Sequence, residues 1–329
     1  AQVMQPRRFG STGLTVSPLG LGTMTWGRDT DAHDADEMVR AFLDAGGNLI
    51  DTASSYGDGA AESIIAGLLH GGISRREVVL VGKSGVQRDA HGSVVLNAGR
   101  GALLDDLDAS LLRLGTDHLD LWLVQAPDRR TPPAETASAL EIAVRSGRTR
   151  YVGVSNYPGW ATAQLAGLLN SSSAGIGVQL AGIEVEYSLL ERGIEREVIP
   201  AANALGLGVI GWSSLGRGVL TGKYRRVRPA DSRAASAHLR AFVEPYLTEQ
   251  AAGVVEALAV AAGGLGQTPL AVALAWARDA PGLSSALIGP RTAIQLSAAL
   301  DAIDLVLPPE IRAVLDEVTA PPLGYPERR

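Results

Sequence analysis

The chain has 329 residues, 46% of them hydrophobic, no cysteine, and a net charge of −6 from 29 basic and 35 acidic side chains. That length accommodates one large α/β domain, and the missing cysteines exclude disulfides, thiolate metal sites and a thiol nucleophile. The acidic balance gives no reason to expect nucleic acid or an anionic membrane as a partner.

Residues 1–8 hold no apolar core of the signal-peptide kind. No uninterrupted apolar run reaches membrane-spanning length, and Glu256 breaks the nearest, residues 251–262. A soluble cytoplasmic protein is the expectation. Gly10-Ser-Thr-Gly13, flanked by short extended pieces, predicts a hairpin.

An alternation then begins. Residues 19–24 read as a short buried strand, and 31–46 as a helix with Met38, Val39, Phe42 and Leu43 on one face. Strand 49–53 precedes helix 61–69, and strand 78–82 runs into Lys83. Helix 101–114 repeats leucines at helical period until Gly115 stops it. Strand 119–124, helix 134–146, strand 150–154 and helix 160–170 follow. A strand within 178–185, helix 195–205 and strand 208–212 come next. After a long loop, helices 249–262 and 269–278 precede strand 285–288, helix 292–302 and a last helix at 309–318.

Strand–helix alternation implies parallel strands with helical crossovers. Eight such units predict an α/β fold closed as a (β/α)8 TIM barrel, one domain over residues 1–329, with an N-terminal hairpin and extra helices. The irregular stretch 214–245, which carries Lys223, Arg225, Arg226, Arg228, Arg233 and Arg240, predicts a long loop over the cofactor site, read either as a solvated, mobile loop, the better reading of its distal part, or as a lid over an anionic ligand.

Chemistry in such a barrel collects where strands end at their carboxyl side. Those positions hold Gly22-Thr23-Met24 with Trp26 behind, Asp51 with Tyr56, Lys83-Ser84, Gln125, Ser155-Asn156, Glu184 and Glu186, Trp212-Ser213, and Gly289-Pro290-Arg291. Asp51, Tyr56 and Lys83 form a coherent set. A free phenol, with a pKa of about 10, is a poor acid near neutrality. A nearby ammonium favours its ionised form, and a carboxylate keeps that ammonium charged and aimed. The set would protonate an alkoxide developing as a carbonyl is reduced. None of His33, His70, His91, His118 and His238 falls at a strand end or pairs at metal-ligand spacing, so no metal site is expected.

With these residues in view, the chain resembles the aldo-keto reductase superfamily, in its bacterial and potassium-channel-β-like branches. The likeness rests on Leu19-Gly-Leu-Gly-Thr23, Asp51-Thr-Ala with Tyr56-Gly, Lys83, Gly153-Val-Ser-Asn156, Glu186-Tyr-Ser-Leu-Leu190, the run from Ser213 to Lys223, and Ile288-Gly-Pro-Arg291 with Gln295. It implies reduction of an aldehyde or ketone with NADPH, Tyr56 donating the proton, Lys83 beside it and Asp51 holding Lys83. It further implies that Ser155 and Asn156 hold the nicotinamide carboxamide, with Glu184 beside them, and that Trp212 stacks on its ring. Ser213, Leu215 and Lys223 would follow the pyrophosphate. Arg291 would meet the 2′-phosphate with its forked guanidinium, and Gln295 the adenine. Gly22, Thr23, Met24, Asp51, Ser214, Gly216, Ile288 and Gly289 belong to the same implied cofactor surface, and Trp26, Tyr56 and Gln125 to the substrate pocket.

Three positions depart from the family pattern. Gln125 stands where the family has a histidine; it can donate a hydrogen bond but not titrate. Glu184 stands where relatives have Gln, and an ionised carboxylate donates nothing. Ala299 replaces an Asn that often touches adenine. Gln125 also raises a second possibility, an NADPH-binding sensor with little turnover.

Overall fold

The structure, a computed structural model, describes residues 3–171, 177–222, 241 and 243–328. Its centre is a closed parallel barrel of β3 (Leu19–Gly22), β4 (Leu49–Asp51), β5 (Val79–Ser84), β8 (Leu119–Val124), β9 (Thr149–Ser155), β10 (Leu180–Glu186), β11 (Gly208–Trp212) and β12 (Ser285–Ile288). These are the eight predicted strands. They read as apolar runs because both faces are buried: barrel interior on one, helices on the other. The helices are α1 (Ala32–Asp44), α2 (Ala60–His70), α3 (Arg100–Leu114), α4 (Pro133–Arg145), α5 (Gly159–Ser171), α6 (Val198–Leu205), α7 (Glu249–Leu265), α8 (Pro269–Arg278), α9 (Ala293–Leu300) and α10 (Pro309–Val318).

Side-chain caps set several helix starts. The Asp31 carboxylate accepts from the Asp34 amide at 2.8 Å, and the hydroxyls of Thr248, Thr268 and Thr292 accept likewise at α7, α8 and α9. Among the described residues no single helix is long and apolar enough to cross a membrane; α7 and α8 pass that test together but are bent by 98°.

The predicted hairpin is present: β1 (Arg7–Arg8) pairs antiparallel with β2 (Thr15–Val16). Phe9, at its turn, is fully buried against Leu49, Val81, Leu121, Leu123, Ile210 and Leu287 in the barrel interior. Gly182 on β10 and Gly208 on β11 make room for it, since a Cβ at either would collide with the Phe9 ring. The amino-terminal end of the barrel is thereby plugged, and the mouth at the other end is the side left open.

Some boundaries differ from expectation. β3 stops at Gly22 because Thr23 turns the chain, its hydroxyl donating to the Asp51 carbonyl at 2.9 Å. A second hairpin, β6 (Val86–Arg88) with β7 (Val94–Leu96), follows β5 and was not expected. In the loop 214–245, Ser214 to Gly222 wind through a short 3-10 turn, Val219–Thr221. Lys223, Arg225, Arg226, Arg228, Arg233 and Arg240 lie outside the described residues.

Candidate active site

A cavity of about 520 Å³ opens at the barrel mouth. Its wall takes residues from the carboxyl end of every barrel strand, so the expected clustering of polar strand ends is present in space. At its floor is Lys83, buried, with its Nζ 2.6 Å from Asp51 Oδ2 and 3.1 Å from Glu184 Oε1. The same Nζ lies 5.0 Å from the centroid of the Tyr56 ring. Parallel pairing fixes this geometry. β4 and β5 are neighbours with Asp51 opposite Val81, which puts the Lys83 stem one step up the adjacent strand. Glu184 arrives across the interior from β10.

Electrostatics here are a contest between burial and charge. Burial works against the Lys83 charge, but Asp51 and Glu184, with a hydrogen bond to Asp51, outweigh it and hold the ammonium pKa well above its ordinary value. Burial pushes the Tyr56 phenol well above the ordinary phenol range; Lys83 opposes this, and the negative charges of Asp51 and Glu184 add to it. The sequence reading expected the ammonium to prevail. Desolvation reverses that balance, so the phenol holds its proton across the neutral range.

The rest of the rim is tied together by short polar links. Gln125 and Ser55 exchange hydrogen bonds at 3.0 and 3.2 Å. Asn156 sits at φ 59°, a left-handed conformation that Asn tolerates. There its amide donates to the Gln125 carbonyl at 3.2 Å and accepts from the Trp212 indole at 3.0 Å. Ser213 and Arg217 also have positive φ, 53° and 58°. Such backbone strain tends to be kept where a loop must present specific groups.

At the far side, Arg291 is only 8% exposed, and its guanidinium has no ion-pair or hydrogen-bond partner among the described residues. Its backbone is what is fixed: the amide donates to Gln295 Oε1 at 2.8 Å and the carbonyl accepts from the Thr30 hydroxyl at 2.8 Å.

Gly22, Thr23, Met24, Asp51, Tyr56, Gln125, Ser155, Asn156, Glu184, Trp212, Ser213, Ser214, Leu215, Ile288, Gly289, Arg291 and Gln295 all line this cavity. Gly216 does not; it lies behind the wall in a turn at φ 59°, packed toward Leu190. Lys223 lies outside the described residues. Trp26 requires a correction. It is fully buried in the hydrophobic core and is no part of the cavity wall. The chain doubles back between Thr25 and Thr30, and that turn folds the indole inward.

Sequence reasoning missed Arg217. Its guanidinium bonds Glu186 at 2.8 Å, over the rings of Trp212 and Tyr246 at 5.6 and 5.1 Å. The Tyr246 hydroxyl donates to the same Glu186 at 2.6 Å. Ile294 and Ala298 of α9 were also unassigned and line the same cavity as Arg291 and Ala299. The four-residue spacing of Ile294 and Ala298 on one helix was the available signal.

The aldo/keto reductase family model matches residues 18–320. The chain is 36% identical to the uncharacterized oxidoreductase YrpG of Bacillus subtilis (strain 168), over 98% of each chain. It is 32% identical to a probable voltage-gated potassium channel subunit beta of Oryza sativa subsp. japonica, over 99% of this chain and 98% of that one. It is also 30% identical to the aldo-keto reductase YhdN of Bacillus subtilis (strain 168), over 98% and 96%.

Proposed function

The chain belongs to the aldo/keto reductase family, a family of oxidoreductases, and from that premise we propose that it reduces an aldehyde or ketone to an alcohol with NADPH, Tyr56 donating the proton. The carrying observation is the buried Lys83 ammonium, 2.6 Å from Asp51 and facing the Tyr56 ring inside the cavity.

The residues present fit a phosphorylated dinucleotide. A largely buried Arg291, unpaired among the described residues, suits an anionic group. Glu184 Oε2 is buried in the cavity wall without a partner among the described residues, as a group awaiting a ligand would be. Asn156, Ser155 and Glu184 would hold the carboxamide, Trp212 the ring face, Ser213, Ser214 and Leu215 the pyrophosphate, and Arg291 with Gln295 the adenosine end. When bound, the reduced nicotinamide supplies a hydride to the carbonyl carbon.

The chain's own residues handle the proton. The Tyr56 hydroxyl and the Gln125 amide donate hydrogen bonds to the substrate oxygen as negative charge grows on it. Because its phenol stays protonated at neutral pH, Tyr56 is always armed. An alkoxide is a stronger base than a phenolate, so the proton moves to substrate. Lys83 then stabilises the phenolate left behind, and Asp51 keeps Lys83 charged and in position.

General acids of this kind contribute about 10²–10⁴ in rate. Tyr56→Phe is therefore expected to lower kcat for carbonyl reduction by that factor, with NADPH affinity retained. NADPH oxidation over a panel of aldehydes and ketones is the measurement, and equal rates for variant and parent would sink the mechanism.

A second reading rests on Gln125. It cannot titrate, and one relative is named as a channel subunit. On that reading the protein binds NADPH and reports its redox state with little turnover. Tight NADPH binding with no turnover across the panel would favour it.

A further inference from the structure

The Lys83 ammonium is held between two carboxyl groups, and both carry a loose end. Asp51 Oδ1 and Glu184 Oε2 are each buried without any hydrogen-bond partner among the described residues. Both side chains bind the same Lys83 Nζ, at 2.6 and 3.1 Å, so the two carboxyl groups share one buried site. If both were ionised, the cluster would bear one uncompensated negative charge in a site with almost no solvent contact, where such a charge is costly. A single proton shared by the two carboxyl groups removes that charge. Two carboxyls this close cannot comfortably ionise together.

We propose that Asp51 and Glu184 share one proton at neutral pH, carried mainly on Glu184, and that this neutral cluster sets the alkaline limit of the enzyme. Glu184 is thus a positioning residue. Its neutral carboxyl keeps negative charge away from Tyr56 and from the substrate oxygen, where charge must grow. Losing the proton places a second negative charge there and opposes the reaction. The assignment of an alkaline limit rests on the oxidoreductase reading; the shared proton does not.

The surroundings agree. Asp51 from β4, Lys83 from β5 and Tyr56 from the turn after β4 are the titratable groups that face Glu184 among the described residues. Its strand neighbours opposite, Ser155 on β9 and Ile210 on β11, carry no charge. Glu186, next but one along the strand, is already paired with Arg217. Burial, first, and then Asp51 push the Glu184 carboxyl well above the ordinary carboxylate range, against the pull of Lys83. Burial raises the Tyr56 phenol, and, against burial, Asp51 and Glu184 raise the Lys83 ammonium.

Glu184→Gln tests this by sign. A carboxyl protonated in the folded chain but ionised when unfolded binds an extra proton in the native state, so stability falls as pH rises above the unfolded value, about 4.3. Gln has no such dependence. The ligand-free E184Q protein should therefore match the parent near that pH. It should pull ahead as pH rises, by about 2 °C or more in Tm at neutral pH. A deficit that grows over the same range would mean an ionised Glu184 bonded to Lys83, and would overturn the proposal.

Infrared spectra of ligand-free protein carrying isotope-labelled glutamate should show a carboxylic-acid band at neutral pH, lost in E184Q. Should that variant not fold, the band must persist in Glu62→Gln, which removes the other buried glutamate. A missing band, or one lost with Glu62, also overturns it. With NADPH and a carbonyl, the fall in kcat at alkaline pH should disappear in E184Q; an identical limb in both proteins would refute the catalytic part. A protein that turns over no carbonyl fails the oxidoreductase reading, while the two ligand-free measurements still decide the proton.

Discussion

The two ends of the barrel are built from opposite materials. At the plugged end, Phe9 fills the interior among Leu49, Val81, Leu121, Leu123 and Leu287, and glycines on β10 and β11 yield space to its ring. At the mouth, a buried ammonium, two carboxyls, a phenol and a guanidinium unpaired among the described residues share one cavity. Asn156, Ser213 and Arg217 hold left-handed backbone around it. One end is arranged for burial of apolar surface, which stabilises the fold; the other retains desolvated polar groups and strain, which cost stability. Substitutions at the plug should move stability and leave chemistry alone, whereas substitutions at the mouth should do the reverse or both.

Lys83→Met should give the largest effect and the one that most nearly breaks this division. Removing the cation leaves Tyr56 without its phenolate-stabilising neighbour, so kcat should fall by about 10³ or more. It also strands Asp51 and Glu184, and an orphaned buried partner costs about 3–5 kcal/mol. That destabilisation should shrink as pH falls and the carboxyls take up protons. Paired measurements of turnover and of chemical denaturation against pH check both halves. A variant as stable as the parent at neutral pH would show that the carboxyls are already neutral without Lys83.

Phe9→Ala tests the plug. The ring is fully buried and its glycine neighbours cannot expand into the gap. A loss of about 3–5 kcal/mol in denaturant unfolding is expected. At a temperature where the variant stays folded, kcat should change by less than about twofold, consistent with surplus effects confined to distant sites. A large fall in kcat would mean that the two ends are mechanically linked.

The same division governs how far the chain could be read before its fold was seen. The eight barrel strands were legible because each is an apolar run buried on both sides, and their ends were legible because polar residues there have no packing reason to recur. The hairpin of β6 and β7 was not, since Val94 and Leu96 remain exposed and no core selects their conformation. Trp26 misled because its fate depends on a turn whose last residue, Thr30, bonds Arg291, 261 positions away. Arg217 escaped notice for a like reason: its partner Glu186 is 31 residues distant, and Tyr246 reaches that same carboxylate from 60. Signs of charge were readable, but the contest between burial and charge at Tyr56 was not, because desolvation exists only once the cavity does.

Arg291→Ala should give the smallest effect of these and the sharpest view of the mouth. The guanidinium is nearly buried yet unpaired among the described residues, an arrangement with no stabilising purpose of its own. Such a group is kept for what it binds. If that is a 2′-phosphate, losing its charge-assisted hydrogen bonds should weaken NADPH by about 10–100-fold, the equivalent of roughly 1.5–3 kcal/mol. NADH, which lacks the phosphate, should lose less than about twofold. Fluorescence titration of both cofactors into parent and variant measures the ratio. Stability should hold or rise slightly, since Ala removes a desolvated charge. Equal weakening of NADPH and NADH would place the phosphate elsewhere and leave the buried guanidinium to be explained by the rim itself, through the Gln295 and Thr30 bonds to its backbone.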